Sequence, residues 1–541
     1  MTAVTPRSRR LLAAIVLVWS LLPFIWIVAN QPFNDIFVAR TIADVKLTEA
    51  AVGRLQLLWG VENHPSLESL ILVLGQTLGI DSINLQFAPL GGVLRIAALF
   101  VLSRRLLRSS LVGAVISATA AFDYSFGISV NTIFTHAFGF ALYFLFLLGY
   151  LMLLQKKSLT TYVMLTIIFT GAYFYSYVAA VWIIALLGFI LVMDAAKRKR
   201  GRQSDEAARP VIRPSLFLAF LVAFVAFNQI LYKAYFINFL QRDYSLVLFR
   251  FLGGLIGPSQ SVAIYRPPIP WPLTVLNVIY TASLLAVPTI FILELAKRRS
   301  SGTTFPLMTG RIRSLFVAMV LTMVLDSSLY FIYGYLDLKY VSIVFPLLSV
   351  GILAYAFVGK IRNKTDGQGP KLSHRRKFGH GGRNIVLPIF LVLLLMMNLG
   401  RFGIAIESDG FSRFSNTGAT AASGWLFAHY QGRPAILSDM STLGKFDMYA
   451  AGENRTIDER FYDPFWFQYL VVRGTARTTH ISGYADFVVI DARAFTQGTD
   501  TQLWSVLPPL APQLENISAH TDLNLVYADG QLVVYSTIPV P

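Results

Sequence analysis

Apolar residues in this chain come in long unbroken stretches, not in the one-sided stripe of a helix that packs on a soluble core. Runs of roughly 17–25 residues are long enough to cross a bilayer. Eleven segments of about that kind can be marked: 11–29, 88–103, 110–127, 131–154, 159–175, 177–193, 216–233, 273–293, 315–333, 340–358 and 384–400. The first follows Arg7, Arg9 and Arg10 and has the charge and length of a signal peptide. Val28-Ala29-Asn30 is a weak cleavage site, however, and the rest of the chain is itself membranous, so 11–29 is read as the first transmembrane helix. The stretch 159–193 is long for one span and short for two. Lys156-Lys157 and Lys197-Arg198 flank it and belong on the same side, which predicts a tight hairpin near Tyr173 to Tyr177. The stretch 67–80 is apolar but brief and holds Glu68; it is expected to lie in the interface as a helix.

Beyond residue 400 the pattern changes. A helix is expected over 421–430 with Thr420 as its N-cap, and Ala435-Ile436-Leu437 leads to a turn at Ser438-Asp439. Residues 486–490 read as a short buried strand ending at Asp491. Residues 523–527 and 531–535 form a hairpin around Asp529-Gly530. The organisation is thus a transmembrane part, 1–400, with a long first external loop at 31–87, and a soluble external α/β domain, 401–541.

Composition agrees with this division. Hydrophobic residues make up 55% of the 541, charged residues 14%, and mean hydropathy is +0.58. Soluble proteins carry about 25% charged residues, so this chain cannot solvate the surface of a soluble particle. With 41 Phe, 24 Tyr and 8 Trp it is no disordered chain either. It has no cysteine, hence no disulfide, thiolate metal site or cysteine nucleophile.

The net charge of +17 would suggest nucleic acid in a soluble protein. Its distribution indicates topology instead. With the N-terminus cytoplasmic, the cytoplasmic pieces hold 28 of the 46 Lys and Arg but 5 of the 29 Asp and Glu. Residues 401–541 hold 9 basic against 14 acidic residues and fall outside, as an odd number of spans requires. The expectation is a multi-pass plasma-membrane protein that does not bind nucleic acid.

No phosphate-binding Gly-x-x-x-x-Gly-Lys loop, Gly-x-Ser-x-Gly elbow or His-Glu-x-x-His helix occurs. Candidate chemistry lies in polar residues near the outer membrane face. The first external loop opens Gln31-Pro32-Phe33-Asn34-Asp35 and continues to Glu62-Asn63-His64-Pro65. A carboxylate just above the bilayer suits a general base; Asp35 would equally serve as an N-cap for a helix starting at Ile36. Asp123, at the outer end of the third span, would orient an acceptor, assist a metal or cap the next turn. His136 and Asp326 lie within spans, where each faces a site or is a hydrogen-bonded bundle residue. Lys233, Arg242, Arg250, Arg266 and Lys339 are external cations that either neutralise a lipid phosphate or snorkel to headgroups.

These features resemble the GT-C glycosyltransferases, in particular protein O-mannosyltransferases and the lipid A aminoarabinose transferase. In that family an acidic residue follows the first span, as Asp35 does. A His-Pro-Pro-Leu-like segment follows in the same loop, and His64-Pro65-Ser66-Leu67 is similar with Ser66 for the second proline. A late span opens with Arg-Tyr and continues to proline, as Lys339-Tyr340 and Pro346 do with lysine for arginine. The acidic pair of the family is here Asn34-Asp35, and the Trp-Trp-Asp-Tyr-Gly signature of oligosaccharyltransferases is absent.

The resemblance implies transfer of a sugar from a polyprenyl-phosphate donor to a lipid, protein or glycan acceptor. Asp35 and Asp123 would be catalytic; Lys339, Tyr340, Arg242 and Arg266 would bind the lipid phosphate; His64 and Glu62 would contact the acceptor. It requires no fixed cofactor and leaves a divalent metal open. The competing classes are a secondary transporter or lipid flippase, whose related halves are not found here, and a non-catalytic envelope-assembly protein of the same fold.

Overall fold

The computed structural model describes residues 6–30, 45, 65–85, 88–107, 109–122, 135–155, 158–199, 213–231, 271–272, 275, 278–279, 310–333, 344, 347, 396–397, 399–400, 402, 416–438, 440–452, 455–458, 485–491, 523–529 and 532–539. Much of the 273–293, 340–358 and 384–400 runs falls outside these residues.

The first apolar run folds as two helices, α1 (Pro6–Trp19) and α2 (Leu22–Asn30), and not as one. The cause is local. Pro23 has no N–H to give to the preceding turn. The Leu21 N–H bonds the Val18 carbonyl at 3.1 Å, one residue short of helical register, and the Ser20 hydroxyl takes the Leu17 carbonyl at 2.6 Å. The Ser20 and Leu21 N–H groups thus stay paired at the break, where a bilayer supplies no water. Large apolar side chains at Leu11, Ile15, Val18, Leu22 and Ile25 form an exposed stripe down both helices.

The next described elements are α3 (Pro65–Leu78) and the single turn α4 (Ser82–Leu85). At 14 residues α3 is too short to span. It ends at Gly79, whose φ of +64° lets the Ile80 N–H reach back to the Gly75 carbonyl at 3.2 Å.

The bundle follows: α5 (Leu90–Leu107), α6 (Ser110–Ala121), α7 (Thr135–Gln155), α8 (Leu159–Tyr175), α9 (Tyr177–Lys199), α10 (Pro214–Leu231) and α11 (Gly310–Tyr333). The helix α6 packs between α5 and α1, with 112–121 buried throughout. Its Gly, Ala, Ser and Thr content lets neighbours approach closely; a Cβ on Gly113 would lie 3.2 Å from the Arg104 backbone nitrogen. The predicted hairpin in 159–193 is present, turning at the single residue Ser176 between α8 and α9.

Three helical stretches among the described residues are long and apolar enough to cross a membrane: Arg10–Ala29, Ala137–Leu154 and Val178–Ala196. Shorter apolar helices lie at Ser110–Ala121, Leu159–Tyr175, Pro214–Asn228 and Ser314–Leu325. Exposed Leu159, Val163 and Ile167 form an i, i+4, i+8 stripe on α8, the lipid-facing counterpart of its buried Tyr162, Leu165 and Phe169.

The C-terminal elements are α12 (Asn416–His429), β1 (Ile436–Leu437), α13 (Met440–Gly452), β2 (Phe487–Asp491), β3 (Asn524–Ala528) and β4 (Leu532–Ser536). The sheet order is β1-β2-β4-β3, with β1 parallel to β2 and the other pairs antiparallel. The β3–β4 hairpin is the one read from the sequence: Asp529 Oδ1 accepts the Leu532 N–H at 2.7 Å. Residues of β4 alternate between fully and half-buried, and Leu532 and Val534 join Leu426, Phe427, Phe446, Phe487 and Val489 in one core. Thr420 is no N-cap: α12 starts four residues earlier, at Asn416, and Thr420 lies inside it. Arg455 closes the other end, donating from Nη1 to the Phe427 and Tyr430 carbonyls at 2.6 and 3.0 Å and lying 5.4 Å above the Phe427 ring.

Candidate functional site

Contacts between named residues fix the direction of each bundle helix. Arg95 meets Ala120 while the Arg104 backbone lies against Gly113, so α5 and α6 are antiparallel. Leu142 lies against Gly171 and Leu165 against Gly149, so α7 and α8 are antiparallel. Phe138 stacks on Tyr175 at 5.1 Å and Phe140 on Trp182 at 5.4 Å, so α9 runs with α7. Tyr162 meets Phe217 and Phe169 meets Phe224, so α10 runs with α8. Leu85 and Ala88, just ahead of α5, pack with Ala137 and Phe138 at the start of α7. One end of the bundle therefore collects the starts of α5, α7 and α9 and the finishes of α6, α8 and α10. The other end exposes Arg104, Arg105 and Arg213.

The first end is also where the remaining elements converge. Phe402 lies edge-on to Trp26 of α2 at 6.0 Å and to Phe122 at 5.9 Å. It thereby ties the finish of the first apolar run to the finish of α6. Ile71 of α3 shares one buried cluster with Ala137 and Phe138 and with Val45 from the first loop, and α3 packs on α8. Met448 of α13 completes that cluster. Gly139 is what permits α7 to reach the α8–α9 turn: an added Cβ would clash with the Ser176 Cβ and stand 3.2 Å from its Oγ.

Arg95 lies at this end with 2% of its surface exposed, and its Nη2 donates to the Ala120 carbonyl at 2.9 Å. That carbonyl is in the last turn of α6, at the negative end of the helix dipole. Sequence reading passed over Arg95 because one cation inside the apolar run 88–103 hardly changes its average. An ionisable residue within a span is itself a functional signal.

The residues singled out from the sequence are placed as follows. Asp35, Glu62, His64, Asp123, Arg242, Arg266, Lys339 and Tyr340 lie outside the described residues, as do Lys233 and Arg250. His136 is in α7 and Asp326 in α11, with their side chains outside the description. The described chain brings together the flanks of several of these. Asp123 directly follows Phe122, Glu62 and His64 directly precede α3, and Asp35 comes five residues after Asn30, the last of α2. Among the described residues no group of three or more His, Asp or Glu is arranged to hold a metal ion.

In the C-terminal part, Asp486 Oδ2 accepts the Ala435 N–H at 2.8 Å and the Tyr430 hydroxyl at 3.5 Å. Burial, and then the Asp486 charge and hydrogen bond, hold the Tyr430 phenol above its usual range. Burial does the same to Tyr535, and burial with the Asp529 hydrogen bond to Tyr527.

Membrane-length apolar helices, exposed apolar stripes and an aromatic- and leucine-rich bundle core define a multi-pass helical membrane protein. Among solved structures the chain is similar to the crystal structure of ArnT from Cupriavidus metallidurans bound to undecaprenyl phosphate. The two share 13% identity over 97% of this chain and 98% of that one, with a TM-score of 0.46. No residue role is carried across at that level of likeness. No family model and no curated protein matches the sequence.

Proposed function

We propose that this protein is a GT-C-type glycosyltransferase that moves a sugar from a polyprenyl-phosphate donor to an acceptor at the external face of the plasma membrane. The observation that carries the reading is the Trp26–Phe402–Phe122 contact, which gathers the finish of the first apolar run and of α6 at the end of the bundle opposite the exposed arginines. Those two finishes lead directly into the segments that hold Asp35 and Asp123. A displacement at a sugar carbon needs a base for the acceptor and positive charge for the leaving phosphate. In this scheme Asp35 takes the proton of the acceptor nucleophile and Asp123 orients the acceptor. Lys339, with Tyr340, Arg242 and Arg266, neutralises the lipid phosphate as its bond to the sugar breaks. Glu62 and His64 contact the acceptor. Attack opposite the leaving group inverts the anomeric centre.

The test is transfer from radiolabelled polyprenyl-phosphate sugars in membranes, wild type against Asp35→Asn. The expected result is transfer in the wild type and, in the variant, a loss of about 10²–10⁴-fold with donor binding retained. Full turnover by Asp35→Asn rules out the assigned base, and absence of transfer with every donor in the wild type rules out the activity.

A further inference from the structure

The helix α13 buries two opposite faces. Leu443, Phe446 and Ala450 point into the core of the C-terminal sheet, whereas Met448, about 200° round the helix from Phe446, is fully buried in a different cluster. That second cluster is made by Val45, Ile71, Leu85, Ala137 and Phe138, all from the membrane part of the chain. Tyr449 packs against both cores. The C-terminal part is therefore joined to the bundle by a side chain seated in a socket, in addition to its covalent connection.

We propose that α13 is a docking helix and Met448 a positioning residue. Buried in one cluster with Ile71, Ala137 and Phe138, Met448 holds α3 to this end of the bundle, so the C-terminal part forms a fixed wall there. Its consequence for turnover rests on the glycosyltransferase reading; the docking itself does not. Glu62 and His64 run straight into α3, and the segment after Asp123 runs into α7. A helix free to shift on its neighbours would misplace whatever those segments hold, and small misplacements cost large factors in rate.

The chain has no cysteine, so an introduced pair can be read without background. Met448→Cys with Ala137→Cys is treated with a short bismaleimide in the full-length protein, which also carries a protease site inserted between residues 402 and 416. The two fragments should remain joined after cleavage; separation overturns the docking, whatever the activity. Amide exchange across 65–78 is then followed in Met448→Lys and Met448→Leu. The lysine variant should exchange at least about ten-fold faster there, with the leucine variant near wild type; unchanged exchange in the lysine variant overturns the positioning role. If Met448→Lys does not fold, Met448→Ala takes its place with the same two outcomes. In the transfer assay the lysine or alanine variant should lose kcat with donor KM held within about two-fold, and Met448→Leu should rescue it. Wild-type-like kcat in a variant whose α3 has loosened overturns the link to turnover. A wild type with no transfer at all, but an intact cross-link and exchange pattern, defeats the glycosyltransferase reading and leaves the docking standing.

Discussion

A guanidinium inside a helix bundle needs oxygen within reach, and Arg95 finds it in the Ala120 carbonyl. Arg95→Ala removes the donor and leaves a cavity, and should cost about 2–4 kcal/mol. Arg95→Lys keeps a charge without the planar fork and should lose less; thermal unfolding in detergent, followed by tryptophan fluorescence, gives the order. Arg455 serves α12 in a comparable way. Arg455→Ala orphans two carbonyls and should speed amide exchange over 416–430, in keeping with a loss of about 1.5–3 kcal/mol. Neither role was legible in the sequence. Arg95 is a lone cation in an apolar run, and Arg455 lies between the elements that the pattern marks out, whereas both act through backbone carbonyls at least 25 positions away. The raised phenols of Tyr430, Tyr527 and Tyr535 set a limit at high pH. Folded, they keep their protons above pH 10.0, the ordinary phenol value at which the unfolded chain has lost half of them. Their contribution is whole below that pH and declines as pH rises through it. Exchange protection of the sheet should therefore fall from about pH 10 upward, and Tyr430→Phe should make the fall shallower.

Gly139 and Gly188 form a matched pair of helix glycines. Gly139 faces Ser176 with no room for a methyl, whereas a Cβ on Gly188 meets nothing within 4 Å. Gly139→Ala should destabilise by about 1–3 kcal/mol through overpacking. Gly188→Ala should be neutral or stabilising by up to about 1 kcal/mol, since alanine is the better helix former. Melting temperatures of the two variants should move in opposite directions or differ by several degrees. At the level of elements, the apolar runs were legible wherever a single property decided them. The paired basic flanks of 159–193 anticipated the turn at Ser176, and Asp529-Gly530 anticipated the β3–β4 turn. The helix α13 was not anticipated, because a helix that buries two faces has no single apolar stripe to read. Thr420 looks like a cap in the sequence because the turn ahead of it, Asn416 to Ala419, is polar and small and helical only in context. The break at Ser20-Leu21 was hidden for the opposite reason: hydropathy runs straight through a proline that the backbone cannot ignore.

Across the whole molecule, charge divides as the bundle does. Exposed Arg104, Arg105 and Arg213 mark one end; at the other, Phe402 joins Trp26 and Phe122, and Met448 joins Ile71 in a separate cluster. If the basic end is cytoplasmic, a cysteine placed at Ser373 should be labelled only from inside, and one placed after Arg401 only from outside. External labelling at 373 would overturn the orientation. The long-range associations that assemble the end opposite the arginines, Trp26 with Phe402 and Met448 in the cluster of Ile71, join residues hundreds of positions apart, and no local pattern encodes such a pairing. The one-residue turn at Ser176 carries a further consequence, for how the chain is made. Leaving no polar loop between α8 and α9, it gives a translocation channel nothing hydrophilic to pass across between them. The segment 159–199 would have to partition into lipid as one hairpin, with both helices already synthesised. Commitment of α8 to the bilayer would then wait until the ribosome has finished α9, which makes this stretch a timing step in biogenesis as well as a piece of architecture.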